Sequence, residues 1–136
     1  MLTLTYPIQH GSVTNWDDLV KILKHAFYDK LSVAPEEQAV LITVAPLTSK
    51  VDLEKLTRLL FDTFGVPAAA IAAQGSLALA ATGRTTGIVL DSGYGDTVAV
   101  PIVNGKVLIA GVTPVGFAGS GLTDYLVQLL NNKGLN

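Results

Sequence analysis

At Thr86, nearly two-thirds of the way along this chain, the period of its apolar residues changes, and that change limits the folds open to it. Trp16, Leu19, Val20, Leu23, Ala26 and Phe27 share one face at helical spacing. Thr14 or Asn15 can cap this helix, and Asp17 and Asp18 sit in its first turn, where the helix dipole favours negative charge. Ala39 to Ala45 is a continuous apolar run ending at Pro46, expected as a strand buried on both faces. Lys50 to Phe64 returns to helical period with Leu53, Leu56, Leu60 and Phe64 inward, and Gly65-Val66-Pro67 stops it. Ala68 to Ala73 reads as the next buried strand and Gly75 to Thr82 as a short helix. From Thr86 the pattern becomes that of an antiparallel meander. Thr86 to Leu90, Thr97 to Val103 and Lys106 to Thr113 are β-rich, separated by Ser92-Gly93-Tyr94-Gly95-Asp96 and by Asn104-Gly105, a strong hairpin signal. A final helix carries Leu122, Tyr125, Leu126, Leu129 and Leu130 on one face and closes at Gly134. The order α-β-α-β-α followed by β-β-β-α makes this an α/β chain.

Composition narrows the function classes. At 136 residues one domain is expected, and a hydrophobic fraction of 49% excludes intrinsic disorder. A net charge of −2 leaves no basic stripe for nucleic acid. Without cysteine there is no disulfide scaffold, thiolate metal site or thiol catalysis. Charged residues make up only 15%, against roughly 25% in ordinary soluble domains. Fourteen of these 20 side chains fall in residues 1–65 and 6 in residues 66–136, so the second half reads as a segment covered on several sides. The uncharged stretch Gly65 to Gly83 is mostly Ala and broken by Pro67, Gln74, Gly75 and Ser76, which does not make a membrane span. Met1 to Gly11 has neither a basic nor a long apolar segment, so no signal peptide is expected. The expectation is a cytoplasmic protein without membrane or nucleic-acid partners.

Few residues carry obvious chemistry. Asp91-Ser92-Gly93-Tyr94-Gly95 ends an apolar strand in a turn, where glycines let backbone N–H groups converge on an anion and a carboxylate can orient a hydrated metal. An ordinary Gly-rich hairpin has the same signature. Ser92 lacks the glycine two residues before it that a nucleophile elbow requires, since Leu90 stands there. Gly116 to Gly121 leads into the last helix and offers N–H groups for phosphate, or is a simple capping loop. Gln74 is a lone amide after a strand, either a satisfied polar residue or one that positions a water. His10 and His25 have no His, Asp or Glu partners at ligand spacing and read as surface residues.

Several strings nevertheless resemble actin. They are Leu2-Thr3-Leu4, Tyr6-Pro7-Ile8-Gln9-His10-Gly11, Val13-Thr14-Asn15-Trp16-Asp17-Asp18 and Val33-Ala34-Pro35-Glu36-Glu37. Gly83-Arg84-Thr85-Thr86-Gly87-Ile88-Val89, Asp91-Ser92-Gly93, Val100-Pro101-Ile102 and Leu122-Thr123-Asp124-Tyr125-Leu126 complete the set, in the same order and with similar spacing. The resemblance is to the middle of actin. Residues 1–83 match the second half of its small-domain core, and residues 84–136 the first half of its large-domain core.

That resemblance implies a ribonuclease H-like core in circularly permuted order. It implies that Asp91, Ser92, Gly93, Tyr94 and Gly95 form the second phosphate-binding hairpin for ATP or ADP with Mg²⁺. Asp91 would hold the metal through water, and Gln74 would position the attacking water. Tyr94 replaces the family's second aspartate, Val98 replaces a histidine implicated in hydrolysis, and Ser120 and Gly121 replace charged residues. The first phosphate hairpin lies outside the matched part of the family. The implied activity is therefore ATP hydrolysis that is weak or absent. In actin the segment matching Gly75–Arg84 crosses between domains. The two sets of elements could close within one chain as a monomer; the preferred reading is that two copies exchange halves and form a C2 homodimer with two Asp91 hairpins facing one cleft. A structural or interaction module that binds no nucleotide is the alternative.

Overall fold

The computed structural model describes residues 4–9 and 11–134. Leu2, Thr3 and His10 of the actin-like strings lie outside the described residues. The chain divides into two compact units, Met1–Gln74 and Gly75–Asn136.

In the first unit, β1 (Ile8–Gln9) and β2 (Ser12–Val13) form a short hairpin with no counterpart in the expected elements. Asn15 caps α1 (Trp16–Lys24), its side chain accepting from the Asp18 N–H at 3.1 Å. Asp18 in turn accepts from Asn15 Nδ2, Thr5 Oγ1 and Lys21 Nζ. The Lys21 hydrogen bond holds the Asp18 carboxyl below its ordinary pKa. Asn15→Ala is expected to lower stability by about 1 kcal/mol, measurable by urea unfolding.

The helix continues through a widened turn over His25–Lys30, where the Leu31 N–H reaches back five residues to Ala26. Here His25 Nδ1 meets Asp29 Oδ2 at 2.6 Å. His25 is exposed, as expected, but it does have an acidic partner one turn along the helix. Among the described residues no group of three or more His, Cys, Asp or Glu converges as a metal site.

β3 (Ala39–Val44) and β4 (Ala68–Ala73) pair in parallel from Ala39–Ala68 to Val44–Ala73. A parallel pair needs a crossover. α2 (Lys50–Arg58), capped by Ser49 and prolonged by a wide turn over Leu59–Thr63, supplies it. Gly65 ends this helix in the left-handed region at φ +63°, and the Val66 N–H donates to the Leu60 carbonyl at 3.2 Å. Leu19, Phe27, Leu56, Leu59, Leu60, Phe64 and Val66 form the core, with the Phe27 and Phe64 rings tilted at 57° and 5.3 Å apart.

Val40, Ile42 and Val44 pack on this core. Ala39, Leu41 and Thr43 on the other face are exposed, Leu41 at 59%. Ala68 and Ala70, opposite Ala39 and Leu41, are exposed as well. β3 is thus not buried on both faces as its continuous apolar run implied. The core helices cover one side of the pair and leave the other bare.

α3 (Gln74–Ala80) starts on the last residue of the first unit and from Gly75 onward belongs to the second, with Gly75 and Leu79 buried. A Cβ on Gly75 would stand 3.4 Å from that of Val100, so the helix lies close against the meander. β5 (Gly87–Ser92) and β6 (Thr97–Val103) pair antiparallel from Gly87–Ile102 to Ser92–Thr97. Leu79, Val98, Val100 and Ile102 form the core, with Val89, Val107 and Val112 against it.

The third meander run is two short strands, β7 (Lys106–Val107) and β8 (Thr113–Pro114), separated by a 3₁₀ turn at Ile109–Gly111. Pro101 explains the break. Its carbonyl accepts from the Leu108 N–H, but it has no N–H to return, so the ladder stops there. Gly111 fills the resulting corner, where a Cβ would come within 2.8 Å of the Pro101 ring. α4 (Gly119–Asn132) follows, and Gly134 beyond it adopts φ +71° as a helix-ending glycine does. Every residue expected on its inward face is exposed, from Leu122 at 60% to Leu130 at 39%.

Candidate functional site

The final rung of the β5–β6 ladder joins Ser92 to Thr97, whose hydroxyls lie 3.0 Å apart. Thr97 is buried and fixes the base of the turn. The Gly93 N–H donates to the Asp96 carbonyl at 2.9 Å, and the Asp96 carboxylate accepts from the Thr97 N–H at 2.9 Å. Gly93 to Asp96 therefore makes a closed four-residue turn with Asp91 two residues before it, half-buried, in register with Val98. Asp91 and Ser92 thus end β5, and Gly93, Tyr94 and Gly95 lie in the turn.

The start of α4 braces this turn. The Gly119 N–H donates to the Gly93 carbonyl at 3.0 Å, and the Ser120 N–H to the Tyr94 carbonyl at 2.8 Å. A Cβ on Gly119 would approach the Gly93 oxygen to 3.3 Å, tighter than ordinary contact. Two of the amides that Gly116–Gly121 offered as a phosphate loop are thus already engaged. Their partners are the turn itself.

This bracing orients the remaining amides. In a trans peptide the carbonyl and the following N–H point in opposite directions. With the Gly93 and Tyr94 carbonyls directed at α4, the N–H groups of Tyr94 and Gly95 point away from it. Neither donates a backbone hydrogen bond among the described residues. Gly95 has no neighbour where a Cβ would stand, and the Tyr94 side chain is 69% exposed. Two adjacent outward amides can hold an anionic oxygen, and a carboxylate at a strand end, as Asp91 is, can orient a hydrated cation.

Gln74 belongs to the first unit, where it lines a mostly apolar cavity of about 260 Å³ with Trp16, Leu19, Ile42, Val44 and Leu56. It is exposed and opens α3. Val98, in the place where actins carry a histidine, is buried in the meander core and presents no acid or base. Sequence reasoning missed Asp96, Gly119 and Ser120 as the groups that shape the turn. Asp96 before Thr97 carried a usable signal, because Asp accepts from neighbouring amides in turns. The α4 contacts had none, being backbone to backbone.

A family model, that of actin, matches residues 1–136. This chain belongs to the actin family. The match covers the whole 136 residues, and the mixed helix and sheet of both units agree with an actin-type α/β fold. Among the described residues no helix of this actin-family chain is long and apolar enough to cross a membrane.

Proposed function

We propose that this actin-family chain works as a C2 homodimer that holds ATP or ADP with Mg²⁺ and hydrolyses it weakly or not at all. The braced Asp91–Gly95 turn carries this reading, because its Tyr94 and Gly95 amides already point outward without a competing backbone acceptor. These amides suit phosphate oxygens, and Asp91 suits a cation held through water. The bound metal would neutralise phosphate charge.

The order of elements supports the dimer. A strand–helix–strand set precedes the meander, a circular permutation of the ribonuclease H-like order. Chain exchange lets the meander of one copy complete the strand–helix–strand set of the other, and the reverse. Two Asp91 turns facing one cleft then replace the first phosphate hairpin that this part of the family lacks. The buried Val98 supports weak hydrolysis, since it offers nothing to activate water.

Calorimetric titration with Mg-ATP tests nucleotide binding; absence of both heat and thermal shift at millimolar nucleotide would sink it. Tyr94→Asp, restoring the family's second carboxylate, is expected to tighten Mg-ATP binding about tenfold, or about 1.4 kcal/mol. An unchanged affinity would favour the second reading, a structural module that assembles without nucleotide. The exposed Tyr94 in the carboxylate's place is the observation in that reading's favour.

A further inference from the structure

The β6–β7 hairpin closes on Asn104-Gly105, both exposed and both in the left-handed region, at φ +50° and +76°. Of the chain's asparagines, Asn104 alone precedes a glycine. Glycine has no side chain to bar its nitrogen from the carboxamide before it, so this pair is open to the reaction by which asparagine loses ammonia. No atom stands within 4 Å of where a Cβ on Gly105 would be. Among the described residues no hydrogen bond holds the Asn104 carboxamide. Asn15 is the contrast. Its carboxamide donates to the Asp18 carboxylate at 2.8 Å and accepts from the Asp18 N–H at 3.1 Å, and the bulky Trp16 follows it.

The backbone of the same turn, by contrast, is held. The Gly105 N–H donates to the Thr85 carbonyl at 2.7 Å, and the Asn104 N–H to the Thr86 hydroxyl at 3.1 Å. Both acceptors come from the segment leading into β5, within the second unit. Loss of ammonia needs a deprotonated Gly105 nitrogen and rotation about the Asn104 Cα–C bond to bring that nitrogen to Cγ. The hydrogen bond to Thr85 opposes both, because it keeps the proton on nitrogen and fixes the peptide plane. β7 has only two residues, paired as Val103–Lys106 and Ile102–Val107, so local opening here breaks few contacts.

We propose that Asn104-Gly105 is a self-modifying site, latched by Thr85 and Thr86, that deamidates when the latch opens. The Gly105 nitrogen bonds to Asn104 Cγ and gives up its proton, while the Cγ–Nδ2 bond breaks and that nitrogen leaves as ammonia. Water then opens the five-membered imide at either carbonyl and leaves aspartate or isoaspartate. Isoaspartate routes the main chain through Cβ and Cγ, one carbon longer. Val103 and Lys106 then no longer face each other, and the latch does not re-form. The product also places a carboxylate beside Lys106, in a half of the chain with only 6 charged side chains. The site lies at the opposite end of β6 from the Asp91–Gly95 turn, and neither nucleotide nor a second copy takes part.

Native chain and chain unfolded in guanidinium chloride are incubated at mildly alkaline pH and sampled by peptide mapping with mass spectrometry. Asn104 is expected to gain one mass unit in both, at least about tenfold more slowly in the native chain, with Asn15 lagging behind it. Thr86→Val removes the hydroxyl at an exposed position and keeps the β-branched shape. In native buffer it should speed the modification about three- to tenfold, the worth of one hydrogen bond. Equal rates in native and unfolded chain would overturn the latch, and this comparison needs no variant. An Asn104 that stays unmodified in guanidinium would overturn the site. A folded Thr86→Val chain modified no faster than its parent would overturn the part given to Thr86.

Discussion

Leu41→Lys is expected to turn the proposed dimer into a monomer while leaving each unit folded. Leu41 is 59% exposed within the chain, so a lysine there keeps its ammonium in water and disturbs no intrachain core. If the bare face of β3–β4 is what the two copies of the proposed homodimer bury, an unpaired ammonium there has no acceptor. An uncompensated buried charge costs about 3 kcal/mol or more, and twofold symmetry imposes it twice. Association then weakens by more than about 10⁴-fold. Sedimentation velocity reads the change, and far-UV circular dichroism reports whether the helices survive. A Leu41→Lys protein as dimeric as its parent would rule out burial of this face.

Leu60→Ala acts on the opposite surface of the same sheet. Leu60 is fully buried, at the junction of α2's last turns with Phe27, Phe64 and Val66. Deleting its isobutyl group removes transfer free energy and leaves a cavity that the two phenyl rings and the helix backbone can only partly fill. The loss is expected to be about 2–5 kcal/mol. Net stabilities of domains are about 5–15 kcal/mol, so this is a large share of what holds the first unit together. Trp16 is the chain's single tryptophan and packs against this core, so its fluorescence during urea unfolding reports on the unit directly. Ile22→Ala, at a half-exposed position on the outer side of α1, is expected to change stability by less than about 0.5 kcal/mol. Equal effects of the two substitutions would show that Leu60 is not the keystone its burial implies.

The first two helices were legible because they were specified redundantly. Asn15 and Ser49 supply capping oxygens, the apolar spacing defines one face, and Gly65 accepts left-handed φ where the second ends. The Asp91–Gly95 turn was legible for a similar local reason, as two apolar strands flank a glycine pair. The broken third strand was not. Pro101 stood in view, but its consequence falls on Leu108, a partner across the sheet. Burial of β3 was misread on the same grounds. A run of apolar residues expresses what both faces tolerate, while the neighbours that cover them are set elsewhere in the chain or in another copy.

The scarcity of charge in residues 66–136 shows this division most clearly. Sequence alone determined that the second half carries few charged groups, that its last helix has a continuous apolar stripe, and that the whole chain is actin-like. Each of these is a property of residue type and spacing. Only the tertiary structure decided that the stripe and the outer face of β3–β4 are bare, and that the start of α4 is spent on the Gly93 and Tyr94 carbonyls. Side-chain periodicity encodes which surface of an element is apolar. It does not encode what meets that surface, because packing partners are chosen by three-dimensional proximity and backbone hydrogen bonds carry no signature of residue type.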